Sequence, residues 1–144
     1  MNQPDKKNKT IQSVTGIVVG IIVMVLVQQV FFSKPSFDKI MMEAASEINK
    51  SCPLMLDQDT RLDNTMALPG NVFQYNYTLV NMEKETVDEV DLKNYLESNI
   101  VNNIKTNPDL KPYRDNKVTM SYVYRDKDGH FLIKIEATPD KYGE

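Results

Sequence analysis

The hydrophobic pattern of the chain is dominated by one long apolar run. It extends from Val14 to Phe32, reads VTGIVVGIIVMVLVQQVFF and contains no charged residue. A helix rises about 1.5 Å per residue, so a run of this length spans roughly 28 Å, close to the thickness of a bilayer's hydrocarbon core. A helix also satisfies its own backbone hydrogen bonds inside lipid. The pattern therefore predicts one transmembrane helix over residues 14–32.

The residues flanking this run predict its orientation. Three lysines and a single acid precede it: Lys6, Lys7, Lys9 and Asp5. Positive charges beside a first helix tend to stay in the cytoplasm. The run is longer than the apolar core of a cleaved signal peptide, and no small-residue cleavage site comes after it. We expect a single-pass protein of the bacterial inner membrane with a cytoplasmic tail (1–13), an uncleaved helix (14–32), a linker (33–36) and a periplasmic domain (37–144).

Two later segments show the helical period. The first extends from Phe37 to Asn49, with Ser36 as its N-cap and apolar positions three or four residues apart. The second begins after a capping aspartate, Asp88 or Asp91, and continues to about Ile104. Its expected inward side chains are Leu92, Tyr95, Leu96, Ile100 and Ile104.

Two pairs of segments show the strand period. In the first pair, Leu62, Met66 and Leu68 are the expected inward residues, and Pro69-Gly70-Asn71 forms the turn. The return strand has Phe73, Tyr75, Tyr77 and Leu79 on one face and Gln74, Asn76 and Thr78 on the other. The second pair joins Lys117–Arg125 to His130–Thr138. The element order α-β-β-α-β-β predicts an α+β domain with a four-stranded antiparallel sheet and two helices on one face.

Composition narrows the possible partners. The chain of 144 residues has 17 basic and 20 acidic residues, and the part after residue 32 retains 14 and 19 of them. A domain this acidic has no electrostatic reason to bind nucleic acid. The single cysteine excludes an internal disulfide framework.

Several runs of the domain resemble a known family. They are Asn49–Pro53, Asp57, Thr60–Asp63, Phe73–Tyr77 and Tyr122–Gly129. These runs resemble a widespread family of small bacterial envelope proteins, which have a signal or anchor segment, one domain and no established activity. The resemblance implies that many relatives carry a cysteine near the end of the second long helix and another near the C-terminus. This chain has Lys105-Thr106 and Asp140-Lys141 there, so the disulfide implied by the resemblance lacks its cysteines.

The densest polar cluster is formed by Asp57, Asp59 and Asp63, with Arg61 among them. Several carboxylates together can bind a divalent cation. The same pattern also fits a solvated strand entry that is partly paired with its own arginine, and this is our preferred interpretation.

Two other combinations suggest chemistry. Asp126 and Asp128 before Gly129 resemble the start of a calcium loop, but the later ligands are missing and a hairpin turn explains them. Cys52 and His130 could form a thiolate and its base, although nothing in the sequence places them together. One cysteine and one histidine cannot build a zinc site of the usual kind. We therefore predict no catalytic residue, no metal site and no cofactor.

Two sets of residues are candidates for binding. Asn71, Gln74, Asn76 and Thr78 lie on a sheet face that the helices leave open, and this face could bind a partner. Gly16 and Gly20 form a small-xxx-small pair that could let two membrane helices dimerise.

The function predicted from the sequence is a non-catalytic, membrane-anchored periplasmic module that binds another envelope protein. One alternative is an enzyme or metal-dependent binding protein that uses Asp57, Asp59 and Asp63. Another is an immunity or exclusion protein that neutralises a toxin.

Overall fold

The computed structural model describes residues 36–143. Its elements are α1 (Phe37–Asn49), β1 (Leu54–Met55), β2 (Thr60–Leu68), β3 (Val72–Leu79), α2 (Glu89–Thr106), α3 (Lys111–Asp115), β4 (Thr119–Arg125), β5 (Phe131–Ala137) and α4 (Pro139–Tyr142). No helix within residues 36–143 is long and apolar enough to cross a bilayer. The helix predicted over residues 14–32, like the tail and most of the linker, lies outside the described residues.

Both long helices begin at caps that the sequence predicts. The Ser36 side chain accepts a hydrogen bond from the Lys39 amide, and α1 has the predicted bounds. The Asp88 side chain accepts bonds from the Val90 and Asp91 amides at the start of α2. These caps satisfy backbone donors that have no partner within the helix.

The predicted four-stranded antiparallel sheet is wrong. The sheet has five strands in the order β1-β2-β3-β4-β5, and its central pair, β3 and β4, is parallel. The two hairpins are antiparallel as predicted. Helix α2 carries the chain back to the end of the sheet where β3 begins, so β4 starts beside β3, with Val72 opposite Thr119. Such a crossover is the ordinary way to connect parallel neighbours. The fifth strand, β1, has only two residues and pairs with β2.

A bulge in β2 reverses the inward and outward positions expected for its second half. The register with β3 shifts between Leu62 and Asn64. Leu62 therefore points inward as predicted, but Thr65 replaces Met66 on the inner face. Met66 is 44% exposed, because one extra residue moves every later side chain to the opposite face.

The core lies between the sheet and its two long helices. Helix α1 packs against β2, and α2 packs against β5 and α4. The fully buried apolar side chains include Met41, Phe73, Ile104, Val118, Met120, Leu132 and Ile135. All of them belong to residues 36–144, which form a compact unit by themselves. A fragment of these residues therefore contains the core and the sheet that the structure describes.

Candidate functional site

The predicted partner-binding residues lie on or beside the sheet face opposite α1 and α2. The Gln74 side chain donates to Asn76 Oδ1 at 2.9 Å, and Asn76 Nδ2 donates to Asn64 Oδ1 at 2.7 Å. Asn71 lies apart, in the β2–β3 turn, and its side chain donates to the carbonyls of Asn116 and Lys117. Binding by these residues and Thr78 stays a prediction. We call Asn64, Gln74, Asn76 and Thr78 the polar face.

Asp63 of the predicted acidic cluster also lies on the polar face. It accepts from Arg61 Nε at 2.6 Å and from Thr78 Oγ1 at 2.6 Å. The other two carboxylates lie in the loop between β1 and β2. Asp57 Oδ1 accepts from the amides of Asp59 and Thr60, both at 2.8 Å, and Asp59 Oδ1 accepts from the Asn81 side chain. The three carboxylates therefore do not converge on one cation.

The turn between β4 and β5 holds the cluster Asp126, Asp128 and His130, whose possible ligand atoms lie within 4.8 Å of one another. Asp126 is buried and accepts four hydrogen bonds, from the amides of Lys84, Asp128 and His130 and from the His130 ring. Burial alone would raise the pKa of Asp126, but these bonds together lower it to about 2. The carboxylate already has its partners, which fits the predicted hairpin turn.

Cys52 and His130 are not joined by any hydrogen bond within residues 36–143. The Cys52 thiol donates to the Ile48 carbonyl at 3.5 Å, just beyond the end of α1. Burial, followed by the charge of Asp63, raises the pKa of this thiol, which disfavours the thiolate. The arrangement does not activate Cys52 as a nucleophile.

The face of the sheet that packs against the helices carries a second candidate site. A groove with a volume of about 910 Å³ opens between α2 and the loop that joins β1 to β2. Its floor is made by Tyr77, Tyr122 and Tyr124. Successive turns of α2 form one wall of the groove, which consists of Leu92, Tyr95, Leu96, Asn99, Ile100 and Asn103. We call this cavity the tyrosine groove.

The parallel pairing of β3 and β4 creates the tyrosine floor. It places Tyr75 opposite Tyr122 and Tyr77 opposite Tyr124. The rings of the first pair stack with centroids 5.2 Å apart, and those of the second pair stack at 5.1 Å. Stacked aromatic pairs of this kind fix one another's orientation. The four rings therefore form a preformed two-by-two array, and three of them, Tyr77, Tyr122 and Tyr124, make the floor of the groove.

The phenol hydroxyls of this array have no hydrogen-bond partner among the described residues. Tyr122 and Tyr124 are only 7% and 6% exposed. Burial raises the pKa of all four phenols, that of Tyr124 to about 12. Within residues 36–143 no fully buried side-chain oxygen lacks a partner, so these hydroxyls are at least slightly accessible, and Tyr77, Tyr122 and Tyr124 line the groove. A ligand or water in the groove can bond to them.

The sequence of the domain matches a known protein family. The sequence model of a domain of unknown function, DUF8479, matches residues 36–133. The chain belongs to this family. No curated protein matches the sequence. The expected membership of a family without an established activity is thereby confirmed.

Solved structures share the fold of this DUF8479 domain at low sequence identity. One is a candidate secreted protein of Pseudomonas aeruginosa, with 10% identity, a TM-score of 0.60 and coverage of 73% of this chain and 91% of that one. Another is the type 2 secretion system pilotin EpsS of Vibrio vulnificus (9%, 0.58, 74% and 92%). A third is the type II secretion system pilotin AspS of Vibrio cholerae (14%, 0.53, 72% and 90%). At these identities the likeness establishes the fold.

Sequence reasoning on the DUF8479 domain did not find the tyrosine groove. It assigned Tyr75 and Tyr77 to the core and expected Tyr95 to point inward, whereas Tyr95 is 69% exposed at the groove's rim. A signal was available, because tyrosines alternate on both β3 and β4, and buried tyrosine hydroxyls usually need a polar partner. The other predicted pair, Gly16 and Gly20, lies outside the described residues, so dimerisation through it stays a prediction.

Proposed function

We propose that this DUF8479 domain is a non-catalytic interaction module of the bacterial envelope, which binds a segment of another envelope protein in the tyrosine groove. The observation that carries this proposal is the phenol array of β3 and β4. It offers aromatic rings for apolar contact and hydroxyls without partners in the described residues. Tyrosine is enriched at protein interfaces because it supplies both kinds of contact.

The dimensions and lining of the groove support a polypeptide ligand. Its volume of about 910 Å³ is near the upper end for ligand pockets, which is roughly 300–1,000 Å³. Leu92, Leu96 and Ile100 add an aliphatic wall beside the phenols, and the amides of Asn99 and Asn103 alternate with them. Such a surface fits a segment with apolar side chains and a polar backbone or flank.

The separation of the reactive groups supports a non-catalytic function. Asp63 lies on the polar face, whereas Asp57 and Asp59 lie at the tyrosine groove. Cys52 bonds to its own helix, and His130 bonds to Asp126. None of these pairs combines a nucleophile with a base, as covalent catalysis requires.

The proposed location rests on the N-terminal sequence and on the kinds of protein that share the fold. Lysines precede the apolar segment 14–32, which favours export of the domain on its C-terminal side. The similar structures include a candidate secreted protein and two secretion-system pilotins. We expect alkaline phosphatase fused after Glu144 to be active and a reporter that works only in the cytoplasm to be inactive. The opposite result would contradict the proposed location.

Site-specific photocrosslinking in intact cells tests the binding surface. A photoreactive phenylalanine analogue replaces Tyr95 at the groove, Gln74 on the polar face or the exposed Asn102 of α2, each in the full chain. We expect one defined protein adduct from position 95 and none from position 102. An adduct from position 74 alone would contradict the proposed groove and support the polar face instead.

The identity of the adduct separates the remaining possibilities. A secretion or other envelope protein supports the proposal as stated, and a toxin supports an immunity function. A second copy of this chain supports self-association. In that case Gly16→Ile with Gly20→Ile tests whether the N-terminal segments contribute, since larger side chains prevent close approach of two helices.

A further inference from the structure

The charged residues that line the tyrosine groove are all acidic. Asp57 and Asp59, in the loop between β1 and β2, are the charged residues that line it. The remaining lining consists of aromatic, aliphatic, hydroxyl and amide side chains. No lysine or arginine of the described residues lines the groove, so its lining carries a net negative charge.

Both carboxylates retain an acceptor oxygen for a ligand. Asp57 uses Oδ1 for the amides of Asp59 and Thr60, and Asp59 uses Oδ1 for the Asn81 side chain. Neither belongs to an ion pair within residues 36–143, whereas Asp63 is paired with Arg61. The amide of Asp59, which outweighs the effect of desolvation, lowers the pKa of Asp57, so this group is ionised at neutral pH.

The phenols give an independent indication of a ligand in the same space. Tyr122 and Tyr124 are more than nine-tenths buried, and their hydroxyls have no partner among the described residues. Both line the groove together with the two carboxylates. Aromatic faces attract cations, and hydroxyls can accept from an ammonium or a guanidinium. The floor and the acidic wall therefore favour the same kind of charge.

We propose that the tyrosine groove selects a polypeptide segment with apolar side chains over the phenols and a lysine or arginine against Asp57 and Asp59. This inference rests on the proposed function and specifies its ligand. An acidic residue at that position would face two carboxylates without a compensating cation. The groove thus discriminates between segments of equal hydrophobicity by the sign of one charge, partly through repulsion of the wrong one.

Three synthetic helical peptides with the same leucine pattern test this selection. They differ at a single terminal position, which is lysine, glutamine or glutamate. Calorimetric titration of the soluble fragment 36–144 measures affinity, and amide chemical shifts locate the binding surface. We expect affinity to fall in the order lysine, glutamine, glutamate, with about threefold or more at each step, as for partly exposed ion pairs.

Charge-matched variants separate the local effect from the overall acidity of the domain. Asp57→Asn with Asp59→Asn should remove the order among the three peptides. Glu43→Gln with Glu47→Gln makes the same change in net charge on the exposed side of α1 and should preserve the order.

Two results would overturn the inference in different ways. Equal affinity of the wild-type fragment for all three peptides, with shifts at the groove, would remove the charge selection and leave the proposed function intact. Shifts confined to the polar face, or no binding of any peptide, would overturn the proposed site together with this inference.

Discussion

The side-chain amide of Asn49 bonds to both backbone groups of Thr65. Asn49 Nδ2 donates to the Thr65 carbonyl at 2.8 Å, and the Thr65 amide donates to Asn49 Oδ1 at 2.7 Å. The Thr65 hydroxyl adds a bond to the Ala45 carbonyl at 3.2 Å. The last residue of α1 therefore occupies the edge of β2 as a neighbouring strand would, and it fixes the helix against the sheet.

Replacing Asn49 should destabilise the domain more than its position near a helix end implies. Asn49→Ala leaves the amide and carbonyl of Thr65 without this partner, so we expect a loss of about 1–3 kcal/mol in the free energy of unfolding. Urea denaturation of fragment 36–144 measures it. Asn102→Ala, at an exposed position of α2, is the control and should change stability by less than about 0.5 kcal/mol. Equal effects would show that the Asn49 bonds contribute little.

The two faces of β3 should differ in their response to truncation. Phe73 is fully buried and packs edge-on against Tyr113, with ring centroids 5.3 Å apart. Phe73→Ala should cost about 3–5 kcal/mol, because it leaves a cavity in the core. Asn76→Ala, on the polar face, should cost about 1 kcal/mol or less. Denaturant titration of both variants measures the contrast, and similar losses would contradict the assignment of the faces.

Acid should destabilise the domain partly through Asp126. Its pKa is about 2 in the folded domain, below the value of about 3.9 expected in the unfolded chain. As the pH falls, the unfolded chain therefore binds a proton before the folded domain does. The stabilisation that ionised Asp126 gives is complete above pH about 4 and is lost as the pH falls toward 2. Asp126→Asn should lower Tm at pH 6, and its difference from the wild type should narrow toward pH 2.

The control for this pH dependence is Asp128→Asn, since Asp128 is exposed in the same turn. Thermal melts monitored by circular dichroism between pH 2 and pH 6 give the comparison. A constant difference between Asp126→Asn and the wild type over this range would show that ionised Asp126 does not stabilise the fold.

Two tyrosines should respond differently to loss of the hydroxyl. Tyr142 donates to the Val118 carbonyl at 2.6 Å within the core, so Tyr142→Phe should cost about 1–3 kcal/mol at pH 7. The Tyr124 hydroxyl has no partner within the described residues, so Tyr124→Phe should leave the free energy of unfolding at pH 7 nearly unchanged. Denaturant titration measures both, and an equal loss would mean that the Tyr124 hydroxyl has a partner that matters for stability.

The same Tyr124→Phe variant should resist alkali better than the wild type. Burial raises the pKa of Tyr124 to about 12, against about 10 in an unfolded chain. As the pH rises, Tyr124 releases its proton in the unfolded chain before it does so in the folded domain. The stability that depends on the neutral phenol is therefore complete below pH about 10 and is lost as the pH rises toward 12. Tm measured between pH 9 and pH 12 should fall less steeply for the variant. Identical slopes would contradict the burial of this phenol.

Divalent cations should bind the domain weakly. Asp126 already accepts four hydrogen bonds, and Asp63 lies on a different face from Asp57 and Asp59. We expect no calcium, magnesium or manganese binding tighter than roughly 10⁻⁴ M, equivalent to about 5.5 kcal/mol. Calorimetric titration of fragment 36–144 measures this. Tighter binding that disappears in Asp57→Asn with Asp59→Asn would revive the metal-dependent alternative.

Local patterns predicted the local structure of this domain. The Ser36 and Asp88 caps and the alternation through Phe73, Tyr75 and Tyr77 depend on neighbouring residues, and the structure confirms them. The bulge after Leu62 could not be predicted in this way. It places Thr65 inside through bonds to a helix sixteen residues earlier, and no property of β2 alone specifies that contact.

The groove was missed because it depends on how the two predicted hairpins meet. Tyr75 and Tyr122 are 47 residues apart in the sequence and become neighbours only in the parallel register. An antiparallel arrangement satisfies the same periodic pattern of apolar residues, so the pattern does not distinguish the two. The parallel direction requires a crossover between β3 and β4, and α2 lies in that connection.

The parallel pairing of β3 and β4 also determines when the domain can fold. Each hairpin on its own is a two-stranded unit, which is marginally stable in water. The strand that completes the centre of the sheet begins only at Thr119, and its other neighbour ends at Ala137. When the chain is synthesised from its N-terminus, β3 therefore lacks its neighbour β4 until almost the whole domain is available. The topology therefore couples completion of the first hairpin's packing to the arrival of the last two strands.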